Sequence, residues 1–446
     1  MIFPEKDRAN RIFLLAMPLI GGMLSQTILN LVDTAMVSRL QNSDAALAAV
    51  GFGGFILFTA QAIILGLSTG VQACASRRLG QERDKETAHF LNAALLIILC
   101  IAPILTILVF LTSPFFYPYI NEDPDVITEG IPYLQIRSIG IIFISSNFAF
   151  RGFWNAVDMT KVYLKTMVSM HLINILLNYI LIFGKFGAPE LGVSGAAYAS
   201  LFSLGLGSGL YFYHARKLAG NLGFLNRLPE FPDVLTLIQL SLPNGFQQLF
   251  FSTGFLATFW IIGRIGTPEV AAANVLINLM LVAMLPSMAM GLSAATLVGQ
   301  ALGKNNIREA ERWGWDVAKL TSAFLGFFGF ILAIFPEFIV TSIYSLSPKT
   351  TELTIWPLRI VGIFMGFEAL GTVMQNALLG AGDTRRVMTI SIFNQWILFL
   401  PAAYLIGPIL GYGLTGVWLL QSIYRVWQTG IFLLLWKGKR WAKVTI

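Results

Sequence analysis

Long apolar runs, separated by short polar segments, dominate this chain of 446 residues. Many of them reach about 20 residues, the length that an α-helix needs to cross the hydrocarbon core of a bilayer. The runs predict twelve transmembrane helices: 12–38, 45–75, 87–112, 129–153, 163–184, 192–215, 234–263, 270–300, 315–336, 353–378, 387–410 and 413–436. The pattern therefore indicates an all-α polytopic membrane protein that is embedded in the lipid bilayer.

The composition agrees with this interpretation. Hydrophobic residues make up 56% of the chain and charged residues only 12%, whereas soluble domains carry about 25% charged residues. The net charge of +7 would suggest nucleic acid binding in a soluble protein. Here the basic residues lie mostly in short loops, where they orient the chain in the membrane, so we expect no nucleic acid partner.

The distribution of Lys and Arg predicts the orientation. These residues concentrate in the N-terminal tail, in the loops after even-numbered helices and in the C-terminal tail. The opposite loops hold only Arg39, Lys185, Arg264 and Lys349. By the positive-inside rule both termini lie in the cytoplasm, and we expect a multi-pass protein of a bacterial inner membrane.

An internal repeat organises the chain. The segment LAMPLIGGM (15–23) aligns with LSLPNGFQQ (240–248) at an offset of 225, which places Pro18 opposite Pro243. Because six helices return the chain to the same side, the two repeats are parallel and the substrate cavity is expected between them. The predicted divisions are an N-terminal six-helix lobe (1–215), a cytoplasmic linker (216–233) and a C-terminal six-helix lobe (234–446).

The first predicted helix carries a polar stripe. Gln26, Asn30 and Asp33 follow one another at i, i+4 and i+7, which places them on one helix face. An ionised Asp inside a membrane costs about 3 kcal/mol, so such residues usually mark an ion or substrate path. The alternative is that Asp33 borders the helix end near the headgroups. Pro18 removes a backbone hydrogen bond and makes this helix a candidate hinge.

The fifth predicted helix carries a matching set. His171, Asn174 and Asn178 stand at i, i+3 and i+7 on one face, and we expect them to face Asp33. Amides can hydrogen-bond a carboxylate in either protonation state. The alternative is that these polar residues only hold helices together.

A second acid, Glu368, lies deep in the tenth predicted helix. It is either a cation site of the C-terminal half or the ion-pair partner of an intramembrane arginine such as Arg359 or Arg425.

A methionine stripe at Met280, Met284 and Met288 suits a cavity that accepts many apolar shapes, but it is also typical of packing or lipid contact. The candidates for lining a substrate cavity are Gln26, His171, Met284, Met288 and Glu368.

The sequence offers no catalytic set. It contains neither a Walker A motif nor HExxH, and its three histidines are widely spaced. We therefore expect no enzyme, no resident metal and no organic cofactor.

Several short motifs, in this order on a 6+6 repeat, resemble the multidrug and toxic compound extrusion (MATE) family. They are VDTAMVSRL (32–40), SRRLGQ (76–81), LGVSGAAYAS (191–200), GQALGKNN (299–306) and ALLGAGDT (377–384). The resemblance implies cation-coupled export of small organic, often cationic, compounds by alternating access.

The pattern is most similar to the DinF-like branch of that family. The resemblance implies that Asp33 is the coupling acid and that Asn174 and Asn178 are its partners from the fifth helix. Tyr133 would contribute from the fourth helix and Ser200 from the sixth. The second fifth-helix position is often acidic in that branch, and here it is Asn178.

We accordingly predict a monomeric antiporter that exchanges protons for drug-like molecules, with Asp33, Asn174, Asn178, Asn30, Tyr133 and Ser200 as its coupling residues. Sodium coupling is the first alternative. A lipid-linked oligosaccharide flippase of the same superfamily is the second, and an intramembrane enzyme is the third.

Overall fold

The computed structural model describes residues 4–344 and 346–444, which are helical almost throughout and contain no β-strand. Within them lie fifteen α-helices: α1 (Lys6–Val37), α2 (Ser43–Gly80), α3 (His89–Ile120), α4 (Pro124–Ile139), α5 (Ile141–Ala156), α6 (Thr160–Phe183), α7 (Gly192–Leu218), α8 (Phe231–Gly263), α9 (Thr267–Gly303), α10 (Ile307–Ile334), α11 (Pro336–Ile343), α12 (Pro348–Gly380), α13 (Thr384–Ile392), α14 (Leu400–Tyr404) and α15 (Gly413–Lys437).

All but two of the twelve predicted spans correspond to a single α-helix, and the short α11 lies between two of them. The predicted span 129–153 is instead divided into α4 and α5 at Gly140. The N–H of Gly140 bonds three residues back to Arg137, while its carbonyl accepts from Ile144 and starts the next helix. One tight turn therefore separates the two helices.

The predicted span 387–410 is divided differently. Here α13 and α14 alternate with two π-helical segments, Phe393–Phe399 and Leu405–Ile409. Pro401 and Pro408 lie in this stretch and have no N–H to donate, so the regular ladder cannot continue through them. A hydropathy pattern does not register such a change of helix type.

By length and composition alone, eight segments of the described chain are apolar enough to cross a membrane, α1, α2, α6 and α12 among them. The protein is therefore a multi-pass membrane protein.

Contacts divide the chain into two compact units. The first, called the Pro18 unit, comprises Pro18–Gly245. The second, called the Phe246 unit, combines the chain up to Met17 with the chain from Phe246 onward. The boundaries between the units thus lie close to Pro18 and Pro243, the two prolines that the repeat aligns. The division into repeats at 1–215 and 234–446 concerns the duplicated sequence and stays a prediction.

Close helix contacts hold the Pro18 unit together. Gly152 of α5 faces the backbone of α2, where an added Cβ would lie 2.1 Å from the carbonyl oxygen of Ser68. An apolar cluster that includes Val37, Ala49 and Ile182 packs nearby helices against one another. Small residues at such positions let membrane helices approach closely.

The start of α1 is fixed within the Phe246 unit. Ile12 and Leu15 belong to the same buried cluster as Leu297 of α9. Arg8 donates to Asp316 of α10 at 2.6 Å and lies over the ring of Trp313, 3.6 Å from its centroid. It also pairs with Glu309. Apolar burial and charge together hold this short segment in place.

Candidate cation-coupling site

The polar stripes of α1 and α6 face each other within the Pro18 unit. Gln26 contacts His171, and Asp33 contacts Asn178, and the residue numbers of the partners differ by 145 in both cases. A constant offset is what two helices running in the same direction produce. Both stripes repeat at i and i+7, so they remain in register over two helical turns.

Asp33 contacts a buried amide. The side-chain nitrogen of Asn178 donates to Oδ1 of Asp33 at 2.6 Å. Asn178 is fully buried, and Asp33 is half-buried. The amide oxygen of Asn178 has no hydrogen-bond partner in the described part of the chain. No Lys or Arg of the described ranges forms an ion pair with Asp33 within 4.0 Å.

Asn174 continues the cluster toward α7. Its Oδ1 accepts from Asn178 at 2.9 Å, and its nitrogen donates to Ser203 at 2.9 Å and to Ser200 at 3.4 Å. Rotating this amide by half a turn also satisfies its surroundings. Its nitrogen then faces Oδ1 of Asp33 at 3.3 Å, and its oxygen accepts from Ser203 at 2.9 Å.

This arrangement is able to accommodate two charge states. An ionised carboxylate only accepts hydrogen bonds, whereas a protonated one also donates. With Asn178 as it stands, its nitrogen donates to ionised Asp33. If the Asn178 amide rotates, its free oxygen can accept the proton of neutral Asp33.

The other candidates on these two stripes form a separate group. His171 is buried and lies 2.7 Å from the hydroxyl of Ser25 and 3.1 Å from Oε1 of Gln26. The nitrogen of Gln26 donates to Asn30 at 3.0 Å. Asn30 is exposed. The expectation that His171 faces Asp33 is therefore wrong in detail, because two helical turns separate it from Asn178.

Tyr133 of α4 lies close to the carboxylate. It is buried, its ring packs against Gly53 of α2, and it interacts electrostatically with Asp33. Arg137, one turn further along α4, also acts on Asp33 electrostatically. A positive charge beyond ion-pair distance therefore influences the site.

The second intramembrane acid lies in the Phe246 unit. Oε1 of Glu368 on α12 is 3.5 Å from Nε of Arg425 on α15. Glu368 also lines a narrow cleft together with Met280 and Met284. Met288 is 44% exposed and is not among the residues that line this cleft.

Sequence reasoning missed three residues. Ser203 bonds to Asn174, Ser25 bonds to His171, and Arg137 acts on Asp33. Ser203 follows Ser200 at i+3, so helical spacing could have indicated it. The partners of Ser25 and Arg137 depend on which helices become neighbours.

A family model described as MatE matches residues 18–180 and 243–405, which together exceed half of the chain. The chain belongs to the MATE family. The second match begins and ends 225 residues after the first, the same offset that relates Pro18 to Pro243. The internal duplication inferred from the sequence is thereby confirmed.

Curated relatives cover nearly the whole length of this MATE protein. The probable multidrug resistance protein NorM of Thermotoga maritima is 25% identical over 435 residues, which is 96% of this chain and 92% of the relative. The probable multidrug resistance protein NorM of Bradyrhizobium diazoefficiens is 27% identical over 439 residues, 94% of this chain and 91% of the relative.

Solved structures share the fold. An outward-facing multidrug resistance MATE family transporter of the MOP superfamily superposes with a TM-score of 0.89 at 21% identity, covering 98% of this chain and 97% of that one. A MOP superfamily transporter from Pyrococcus furiosus gives a TM-score of 0.88 at 21% identity, with the same coverage.

These comparisons confirm several expectations and leave others as predictions. The resemblance to the MATE family and the all-α, two-lobed repeat fold are confirmed. Membership of a transporter family also confirms that the chain is not an enzyme. The coupling ion, the DinF-like branch, the cavity between the repeats and the roles of the site residues stay predictions.

Proposed function

We propose that this MATE protein exports small organic molecules, many of them cationic, from the cytoplasm in exchange for protons. The relatives that align over almost the whole chain are named as multidrug resistance proteins. Absence of a nucleotide-binding motif in the sequence favours an ion gradient as the energy source.

The contact between Asp33 and Asn178 is the observation that carries this proposal. It places one carboxylate beside a buried amide with an unused oxygen. A transporter that carries protons needs a group that is stable both charged and neutral at different steps of the cycle. Rotation of the Asn178 amide supplies a donor to the charged form and an acceptor to the neutral form.

The energetics suit efflux. One elementary charge that moves across about 100 mV supplies about 2.3 kcal/mol. This corresponds to a concentration ratio of roughly fifty, because about 1.4 kcal/mol is tenfold. One proton per cycle is therefore sufficient to export an uncharged substrate. Exchange of one proton for a monovalent cation moves no net charge, so the pH difference alone drives it. In its ionised state, Asp33 also attracts a cationic substrate.

Sodium is the alternative coupling ion, and one feature of the site favours it. A hard cation prefers several oxygen ligands, and the side chain of Asn178, which contacts Asp33 through its nitrogen, has an oxygen without a hydrogen-bond partner in the described chain. Asn30 is exposed and bonded to Gln26, so it is outside this set. Protons remain the favoured ion because a single carboxylate is sufficient for them.

The finer features belong to the same proposal. We place the protein in the cytoplasmic membrane of a bacterium as a monomer. Both termini lie in the cytoplasm in this proposal, because Lys and Arg concentrate in the loops of that side. Tagging each terminus with a thiol reporter and labelling intact cells tests the orientation. Label that reached either terminus from outside would contradict it.

An efflux measurement tests the coupling. Vesicles loaded with a fluorescent cation are prepared with wild type, Asp33→Asn and Asp44→Asn, and the proton and sodium gradients are collapsed in turn. Asp44 is an exposed carboxylate at the start of α2, so its variant is the matched control. We expect efflux to stop when the proton gradient is collapsed, and to be absent in Asp33→Asn alone. Efflux that survives without a proton gradient and fails without sodium would contradict the proposal.

A further inference from the structure

Glu368 and Arg425 form an isolated pair of opposite charges inside the Phe246 unit. Nε of Arg425 lies 3.5 Å from Oε1 of Glu368, and the two side chains are 21% and 17% exposed. Apolar residues such as Val361 and Trp418 make up most of the rest of the same cleft, which the uncharged polar residues Gln421 and Ser422 also line. Either charge alone would be costly there, because a buried ion without a partner is strongly destabilising.

Close packing of α12 on α15 fixes this pair. Thr429 lies one turn beyond Arg425, and its hydroxyl oxygen is 2.8 Å from the carbonyl oxygen of Arg425 and 3.2 Å from that of Phe367 on α12. Gly371 faces the same residue, where an added Cβ would lie 2.2 Å from the hydroxyl oxygen. The two helices therefore touch at the turn beside the ion pair, so the charges are held together by the backbone arrangement.

The repeat shows that this pair belongs to the C-terminal half alone. The offset of 225 places Phe143 opposite Glu368. The later offset of 221, which aligns Gly192 with Gly413, places Leu204 opposite Arg425. An apolar pair thus stands in the first half where the second half has two charges.

The reverse holds for the coupling acid. At an offset of 225 Asp33 is opposite Thr258, which has no charge. Each half therefore has one acid deep within a predicted span, at non-equivalent positions. The acid of the first half has an uncharged hydrogen-bond partner, and the acid of the second half has a cation of the protein itself.

We propose that Arg425 is the permanent counter-ion of Glu368 and that this pair keeps the C-terminal acid out of ion coupling. The inference rests on the proposed function and adds that each cycle carries one coupling cation, at Asp33. A proton or sodium ion that bound Glu368 would leave Arg425 as an unpaired charge in an apolar cleft. Arg425 is accordingly a positioning residue. By pairing with Glu368 it leaves Asp33 as the acid that binds the coupling cation.

The experiment compares Glu368→Gln, Arg425→Gln and the double variant Glu368→Gln/Arg425→Gln in proteoliposomes. Arg359→Gln is the matched control, since Arg359 also lies on α12 and stands over Trp356 with no ion-pair carboxylate among the described residues. The readouts are efflux rate, protons moved per substrate and the thermal unfolding midpoint from tryptophan fluorescence.

Each single variant of the pair should have an efflux rate about tenfold lower and should unfold at a lower temperature, because it leaves the remaining charge without a partner. The double variant should recover both properties to within about twofold of wild type, since removing both charges together leaves neither unpaired. Its number of protons per substrate should be unchanged. Arg359→Gln should leave proton stoichiometry and efflux close to wild type.

Two results would overturn the inference. The first is a double variant that remains as inactive as Glu368→Gln, because Glu368 would then work as a coupling acid. The second is a pair of single variants that lose nothing. If the double variant does not fold, Arg425→Lys is decisive, since it keeps the charge. It should retain activity where Arg425→Gln loses it, and equal loss would refute the pairing.

Failure of the proposed function would look different. Asp33→Asn would then continue to export substrate, whatever the variants of Glu368 and Arg425 do.

Discussion

Replacing Asn178 with Leu should make efflux depend on pH in a new way. Leu has the same branched shape and the same number of side-chain heavy atoms as Asn but cannot hydrogen-bond, so it fills the site against α1 while the 2.6 Å bond to Asp33 is lost. A hydrogen bond to a charged group contributes about 1.5–3 kcal/mol. Neutral Asp33 also loses its bond to the rotated amide, which contributes about 0.5–1.5 kcal/mol. The difference of about 1–1.5 kcal/mol should reduce the ionised fraction of Asp33 by roughly 5- to 13-fold at a given pH, because about 1.36 kcal/mol is tenfold.

The structure places the expected value at the lower end of this range. When the Asn174 amide rotates, its nitrogen reaches Oδ1 of Asp33 at 3.3 Å and replaces part of the lost bond. The pH profile of efflux should therefore move by about one pH unit toward higher pH. The sign follows from the missing donor, since ionisation of Asp33 then requires a lower proton concentration.

The measurement is the initial rate of dye efflux from proteoliposomes across a series of pH values. Asn147→Leu is the control, because Asn147 is also a buried amide of the Pro18 unit but bonds to Leu204 and Ser208. It should lower stability without moving the profile. Superimposable profiles for Asn178→Leu and wild type, or an equal displacement in Asn147→Leu, would refute the reasoning.

Three further predictions concern packing and the hinge. Gly152→Ala should lower the thermal unfolding midpoint measurably, because its Cβ would meet backbone at 2.1 Å, whereas Gly209→Ala has open space and should not; equal midpoints would contradict this. Arg8→Gln should cost about 1.5–3 kcal/mol of unfolding free energy, whereas Arg312→Gln, whose ion pair with Glu5 is exposed to solvent, should cost little in a denaturant titration. Pro18→Ala restores a backbone N–H within α1 and should slow efflux while leaving equilibrium substrate binding unchanged; unchanged efflux would show that α1 needs no hinge there.

Much of the fold was accessible from the sequence because membrane helices are long and apolar. Each predicted span corresponds to helix in the structure. The repeat was visible from Pro18 and Pro243. The break at Gly140 was not, because one tight turn leaves hydropathy unchanged. The π-helical segments were not predicted for the same reason.

The candidate site shows where periodicity stops being informative. Spacing along one helix placed Asp33 and Asn178 on the correct faces, and the structure brings them together. It also grouped Asn30 with Asp33, yet Asn30 is exposed and bonds to Gln26. A shared helix face does not determine which residue the neighbouring helix reaches.

For a related reason, the sequence did not show which of two arginines forms the ion pair with Glu368. Arg359 lies nine residues away on the same helix, and Arg425 lies on another helix. The packing of α12 against α15 brings Arg425 within ion-pair distance of Glu368. Sequence separation carries no information about that contact.

Proton movement coupled to substrate tests the central proposal most directly. Proteoliposomes in sodium-free buffer enclose a pH-sensitive dye, and an organic cation is added outside. Wild type and Asp44→Asn should move protons on addition, and Asp33→Asn should give no signal. A signal at background that rises steeply with added sodium at fixed pH would contradict proton coupling and would make Asp33 a sodium ligand.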